Sequence, residues 1–133
     1  MSSEHQPPPV PTQFGVFYPL GHVVLALQSR ADAERMRQLL LDGGYDEREV
    51  TVWDSAQVAT EARELQQSAS LLAKLFGAEL EAMHKHIELA DAGYTFLTVY
   101  SPTDLETKRV MNVARRFRYE LAQKYDRFSI TEL

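Results

Sequence analysis

Two histidines separated by a single lysine, His84 and His86, form a pair of side chains whose types suggest metal binding. Imidazole is a common metal ligand, so the pair resembles half of a metal site. In the helix predicted for this stretch, however, residues two apart project about 200° from one another, whereas histidines that chelate one ion from a helix are four apart. We therefore predict no metal site at these histidines.

His22 could act as a general base, but such a base needs a nucleophile or a carboxylate beside it, and the neighbouring residues supply neither. The chain has no cysteine, which excludes a thiol nucleophile, a thiolate metal site and a disulfide. The glycine-rich patterns that bind phosphate, GxxxxGK followed by Ser or Thr and GxGxxG, do not occur. We assign no catalytic residue and no cofactor, and we expect a non-catalytic protein in which His22 is structural or part of an interface.

Basic residues are concentrated near the end of the chain. Between Lys108 and Arg127 there are seven basic and two acidic residues, a local net charge of +5 in a chain whose overall charge is −5. The candidates for contact with an anionic partner are Arg109, Arg115, Arg116 and Arg118. A solvated face with local ion pairs is the simpler explanation of such a run, and the acidity of the whole chain argues against nucleic acid.

The length of 133 residues fits one domain with a tail. Four prolines within residues 1–13 predict a disordered tail, and residues 14–133 are predicted to form a single domain. The longest apolar run, Val23 to Leu27, is far shorter than the ~20 residues of a membrane helix. The N-terminus lacks the basic start and apolar core of a signal peptide. We expect a cytoplasmic protein without membrane contact.

The elements that must position these side chains can be predicted from hydrophobic periodicity. Alternating residues predict a first strand at His22–Gln28. A helix is predicted at Arg30–Leu41, with Ser29 as its N-cap and a pair of glycines at its end. A second strand at Glu49–Trp53 completes a β-α-β unit.

A long helical pattern follows, with apolar residues at steps of three, four and seven across residues 55–91. Unbroken, this helix would be about 55 Å long, which exceeds the width of a small domain. We expect two helices, Ser55–Gln67 and Ala69–Asp91, with residues 55–70 as an insert. The alternative is one projecting helix that pairs with another subunit.

The last third of the chain is predicted to form a second β-α-β unit. Its first strand is Tyr94–Tyr100, and Ser101 and Pro102 then provide an N-cap and a first helical residue. The helix is expected to reach about Lys124 and to be followed by a strand at Arg127–Thr131. This order predicts the α+β class and, within it, a ferredoxin-like split βαβ sandwich: a four-stranded antiparallel sheet with helices on one face only.

The uncovered sheet face is the predicted functional surface. Alternation places these candidate ligand or interface residues on it: His22, Val24, Trp53, Tyr94, Phe96 and Tyr100. An aromatic patch of this size is larger than soluble monomers normally expose, so a second copy of the sheet, the segment Phe14–Leu20 or stacked RNA bases should cover it. The strands carry no basic residues for RNA, so we expect a homodimer. The alternative is a small-molecule site or small enzyme with an apolar pocket at the dimer's sheet interface.

The chain from about Phe76 to Ile130 resembles small bacterial general-stress and heat-induced-stress proteins. The resemblance rests on a charged helix that stops at glycine, a strand, an acid-bearing turn and two closing segments: ELEAMHKHIELADAG, YTFLTV, SPTD, VMNVARRF and FSI. The helical insert, and His84 and His86 where tyrosine or acids are expected, depart from the family pattern. The family has no assigned reaction, so the resemblance implies a self-associating stress or regulatory module without catalytic residues.

Overall fold

The computed structural model describes residues 12–13, 16–17, 20–58, 85–126 and 129–133. Its strands are β1 (Thr12–Gln13), β2 (Val16–Phe17), β3 (His22–Leu27), β4 (Val50–Trp53), β5 (Thr95–Tyr100), β6 (Tyr119–Tyr125) and β7 (Ile130–Glu132). Its helices are α1 (Arg30–Asp42) and α2 (Asp104–Ala114), with a 3₁₀ turn at Glu47–Glu49; residues 55–58 and 85–91 are also helical. The predicted tail before residue 12, most of the helical insert, the break within 55–91 and His84 lie outside the described residues.

Within the described residues, five strands form one open antiparallel sheet in the order β4-β5-β3-β6-β7, and β1 pairs with β2 separately. The predicted α+β class is confirmed. The predicted number of four strands is wrong, because β6 lies where the sequence predicts helix. β7 begins at Ile130, inside the predicted final strand.

The last helix, α2, ends ten residues before the predicted end at Lys124. It ends at Ala114, and the amides of the following residues close a turn onto the carbonyls of Met111, Val113 and Ala114. The chain then returns along β3, with Val23 opposite Lys124 and Ala26 opposite Leu121. The segment is rich in good helix formers, but here it supplies the backbone partners that the buried strand β3 needs.

Helix α1 agrees with its prediction to within one residue. Ser29 is the N-cap, and its Oγ accepts a hydrogen bond from the amide of Asp32 at 3.1 Å. The Gly43 amide closes the other end on the carbonyls of Leu39 and Leu40. The buried side chains Ala33, Met36 and Leu40 face the sheet. No described helix is both long and apolar enough to cross a membrane.

The two faces of the sheet carry two separate clusters of buried side chains. On the first face, Val23, Leu25 and Leu27 of β3 pack with residues of α1 and α2, as the alternation predicts. On the second sheet face, Val24, Ala26 and Phe96 pack with Leu89 and Ala90 from the helical residues 85–91. Helical residues therefore pack against both faces, and the predicted one-sided covering is wrong.

The outer edge of β4 is covered by a side chain of α1. Arg37 donates from Nε to the carbonyl of Val50 at 3.0 Å and from a terminal nitrogen to the carbonyl of Glu47 at 3.1 Å. Edge strands present unpaired backbone groups that can recruit another strand, and charged side chains are a common protection.

The N-cap of α2 is Thr103, not the predicted Ser101. Thr103 Oγ1 accepts from the amide of Glu106 at 3.2 Å, and the Glu106 carboxylate accepts from the amide of Thr103 at 3.2 Å, which forms a capping box. Ser101 is fully buried instead, and its amide donates to the carbonyl of Gly21 at 2.9 Å. The helix starts two residues later than predicted because Ser101 is engaged by the sheet.

Replacing Thr103 by alanine should lower the free energy of unfolding by about 1 kcal/mol, because the amide of Glu106 loses its acceptor. Urea unfolding of Thr103→Ala beside Thr103→Ser measures the effect, since serine retains the capping oxygen. Equal stability of the wild type and Thr103→Ala would contradict the assignment of the cap.

Candidate functional site

The six residues predicted for the functional surface all lie on or against the second sheet face. His22 is directly opposite Tyr100, and Trp53 is directly opposite Phe96. Val24 lies on the same face of β3 as His22, and Tyr94 packs against the cluster that contains Phe96. The predicted grouping is therefore present, but Phe96 is only 2 % exposed. The prediction that a single chain leaves this aromatic residue open to water is wrong.

One end of the face is formed by His22 and Tyr100. Their ring centroids are 5.1 Å apart, and Nδ1 of His22 is 3.0 Å from the carbonyl of Leu20. A carbonyl can only accept, so Nδ1 carries the proton. The Tyr100 ring passes over Gly21, where a Cβ atom would lie 3.1 Å from it, and the φ of +77° at Gly21 also disfavours other residues. These contacts anchor His22 at the start of β3.

The opposite side of the face is formed by Trp53 on the edge strand β4. Its indole Nε1 donates to Thr98 Oγ1 at 2.9 Å. Thr98 is buried on β5, whereas Trp53 is only partly buried. The hydrogen bond fixes the indole along the sheet, while the side chain as a whole stays partly exposed.

His86 lies over the centre of the face, a position that sequence reasoning did not give it. Its ring meets Phe96 edge-on with centroids 5.4 Å apart, and its Nε2 is 3.4 Å from the hydroxyl of Tyr125. The signal in the sequence was its spacing from Leu89 and Ala90, three and four residues later, which places all three on one side of a helix.

Burial lowers the pKa of His86 to about 4, and the Gln123 side chain opposes this shift more weakly. The imidazole is therefore neutral at pH 7. Gln123 is itself buried; it donates from Nε2 to the Glu132 carboxylate at 2.7 Å. Its Oε1 is buried without a hydrogen-bond partner among the described residues. The imidazole of His86 and the side chain of Gln123 thus meet inside a largely apolar contact.

A second polar group of residues lies at the start of α2. The Tyr45 hydroxyl donates to the carbonyl of Glu106 at 3.2 Å and is 3.4 Å from Ser101 Oγ; burial raises its pKa. Lys124, 6 % exposed, donates to Thr107 Oγ1 at 3.2 Å. Ser101 has no exposed surface, so a substrate in solution could not reach its hydroxyl in this conformation. This group ties α2 to the sheet.

The predicted anionic-partner residues do not form a stripe on a long helix. Arg109 lies on α2, Arg115 is its C-cap residue, and Arg116 and Arg118 lie in the turn before β6; all four are exposed. Arg115 donates to the side chain of Asn112 at 2.7 Å. The guanidinium of Arg35 lies 5.6 Å from the ring of Phe117 and adds another basic group to this turn. The candidate surface is therefore a basic turn.

In the described part of the chain, no group of three or more His, Cys, Asp or Glu side chains could hold a metal ion. No protein-family model matches the sequence, and comparisons with curated proteins and with solved structures find no significant match. The resemblance to bacterial stress proteins therefore stays a prediction.

The contact between Trp53 and Thr98 can be tested by a double-mutant cycle of Trp53→Phe and Thr98→Val. We expect a coupling free energy of about 1 kcal/mol, because the indole N–H and the hydroxyl satisfy each other in a partly buried site. Urea unfolding of the four proteins gives the coupling. Purely additive losses would contradict a stabilising hydrogen bond.

Proposed function

We propose that this protein is a non-catalytic regulatory module that self-associates through the margin of its second sheet face. The observation that carries the proposal is the arrangement of Trp53, Tyr94 and Tyr100, here called the aromatic rim. These three side chains stay partly exposed around a centre that is closed by Phe96 and Leu89.

The proposal includes the finer assignment of the fold. The strand order β4-β5-β3-β6, antiparallel throughout, supports a ferredoxin-like split βαβ arrangement in which β7 is an additional edge strand. In this arrangement α1 and α2 occupy the first face. The second face is then the side on which further contacts are made.

Partly exposed tyrosine and tryptophan side chains suit an interface because they bring a large apolar area with a polar atom. The indole N–H of Trp53 already has an acceptor in Thr98, so contact with the partly exposed side chain would leave this donor satisfied. A copy of the chain related by a two-fold axis would present the same rim, which is the commonest route to a homodimer.

The centre of the face has a different role from the predicted one. Val24 and Phe96 are part of the chain's own core, so they support the rim from beneath and are not contact residues. A bacterial, cytoplasmic and stress-associated setting belongs to the same proposal and rests on the sequence resemblance alone.

Light scattering at tens of micromolar protein tests the self-association. We expect a wild-type dimer and a shift to folded monomers in Tyr94→Glu and Tyr100→Glu, because a buried unpaired charge is costly. The matched control is Leu105→Glu, where the side chain is 60 % exposed and belongs to α2, the helix that packs on the opposite, first face of the sheet; its mass should equal that of the wild type.

A monomeric wild type would refute the proposal, as would dimers that persist in both rim variants. Phe96→Glu is not a useful variant, since Phe96 is 2 % exposed and a charge there should unfold the chain. Circular dichroism of each rim variant shows whether its fold is retained.

An anionic partner is a second candidate, favoured by the exposed basic turn of Arg115, Arg116 and Arg118. Arg35 lies beside Phe117 of this turn but is already paired with Asp32 at 3.0 Å. The three guanidinium groups of the turn could contact successive phosphates of a nucleic acid or an acidic protein surface.

Titration of a single-stranded RNA oligonucleotide at several salt concentrations tests this second candidate. Binding through phosphates should weaken steeply with salt, and the paired change Arg115→Ala with Arg116→Ala should reduce the slope by about 1–2. Arg48→Ala, which removes an arginine paired with Asp46, is the control. Absence of binding, or an unchanged slope in the paired variant, would exclude the basic turn as an RNA site.

A further inference from the structure

The helical residues 85–91 hold the second sheet face through one side of the helix. His86, Leu89 and Ala90 point to the sheet, where Leu89 and Ala90 pack with Phe96 and Leu121. Two backbone hydrogen bonds close the C-terminal turn of this helix, from the Ala92 amide to the Glu88 carbonyl and from the Tyr94 amide to the Leu89 carbonyl. Two of the three contacts are purely apolar, and His86 is the member that can change its charge.

The surroundings of His86 favour its neutral form. On β5 it meets the ring of Phe96, and on β6 it meets Tyr125 and Gln123. The Gln123 side chain in turn donates to the carboxylate of Glu132 on β7, which is therefore already engaged. On its own helix, Lys85 and Glu88 pair with each other at 3.7 Å. No described carboxylate contacts the ring directly to stabilise an imidazolium.

We propose that residues 85–91 form a proton-operated latch: neutral His86 holds the helix on the second sheet face, and protonation of His86 releases it. Release would expose the apolar side chains beneath, chiefly Val24, Phe96 and Leu121. The latch acts within one chain, so this inference does not rest on the proposed self-association.

The direction of the pH effect follows from linkage. In the closed state the pKa of His86 is about 4, while an exposed imidazole titrates near 6.5. Between these values the open state binds more protons than the closed state, so the closed state is favoured above about pH 6.5 and is lost progressively as the pH falls toward 4. The opening equilibrium should rise about 30-fold between pH 8 and pH 5.

Amide hydrogen exchange of the full-length protein, corrected for the intrinsic pH dependence of exchange, tests the latch. The amides of Ala92 and Tyr94 bond to carbonyls of the helix itself, Glu88 and Leu89. Most of a helix's stability in a protein comes from tertiary packing, so release from the sheet should weaken these bonds. The amide of Gly43, bonded to Leu39 at the end of α1, is the internal control. We expect protection of Ala92 and Tyr94 to fall about 30-fold from pH 8 to pH 5, with Gly43 unchanged.

Two variants assign the effect. His86→Phe keeps a ring against Phe96 but cannot be protonated, so protection should no longer fall with acidity. His84→Gln removes the other histidine of the pair, and the fall should persist. Protection that is constant with pH, that falls equally at Gly43, or that still falls in His86→Phe would overturn the proposal.

A second measurement does not depend on a folded variant. The nuclear magnetic resonance titration of the His86 ring in the wild type should coincide with shifts of the Phe96 and Leu121 signals. Titration of His86 near 6.5 with no accompanying change at these neighbours would also overturn the latch, because an exposed histidine could not hold the helix.

Discussion

Strand β3 is the constraint on which the rest of this structure depends. All six of its residues are buried, and it is paired on both sides, with β5 and with β6. Its alternate side chains supply the first-face core and the second-face cluster at once. A strand in this position must find backbone partners for both of its edges, because unpaired buried amides and carbonyls are costly. The chain that follows α2 meets that demand.

The sequence predicts those elements whose signals are local. Helix α1 has its N-cap serine directly before its first residue and its glycine stop directly after its last, and β5 shows its alternation within six residues. Strand β6 carries the opposite local signal, since Glu120, Leu121, Ala122 and Gln123 favour helix. Its strand conformation comes from pairing with β3, about a hundred residues earlier in the chain, and no local pattern contains that information.

The candidate surface divides in the same way. Strand alternation was enough to place His22, Val24 and Phe96 on one face, because that property depends only on the period of a strand. Which helix covers the face depends on its position in three dimensions. The contact of His86 with Phe96 could therefore not be predicted from the sequence. The buried side chain of Gln123 beside His86 could not be predicted either, since it lies on β6, where the sequence predicts helix. The wrong predictions for the covering of the face and for β6 have the same cause: both features depend on contacts between residues far apart in the chain.

The protection of the β4 edge has a consequence for the colloidal behaviour of the protein. The side chain of Arg37 donates a hydrogen bond to the Val50 carbonyl, which a strand from another molecule would otherwise use for backbone pairing. Natural edges are also blunted by prolines or bulges, which are built into the backbone. A guanidinium can be withdrawn by a rotamer change or neutralised by chemical modification, so the barrier to strand recruitment is here a reversible one. Conditions that disengage this arginine would free the Val50 carbonyl to accept a hydrogen bond from another strand.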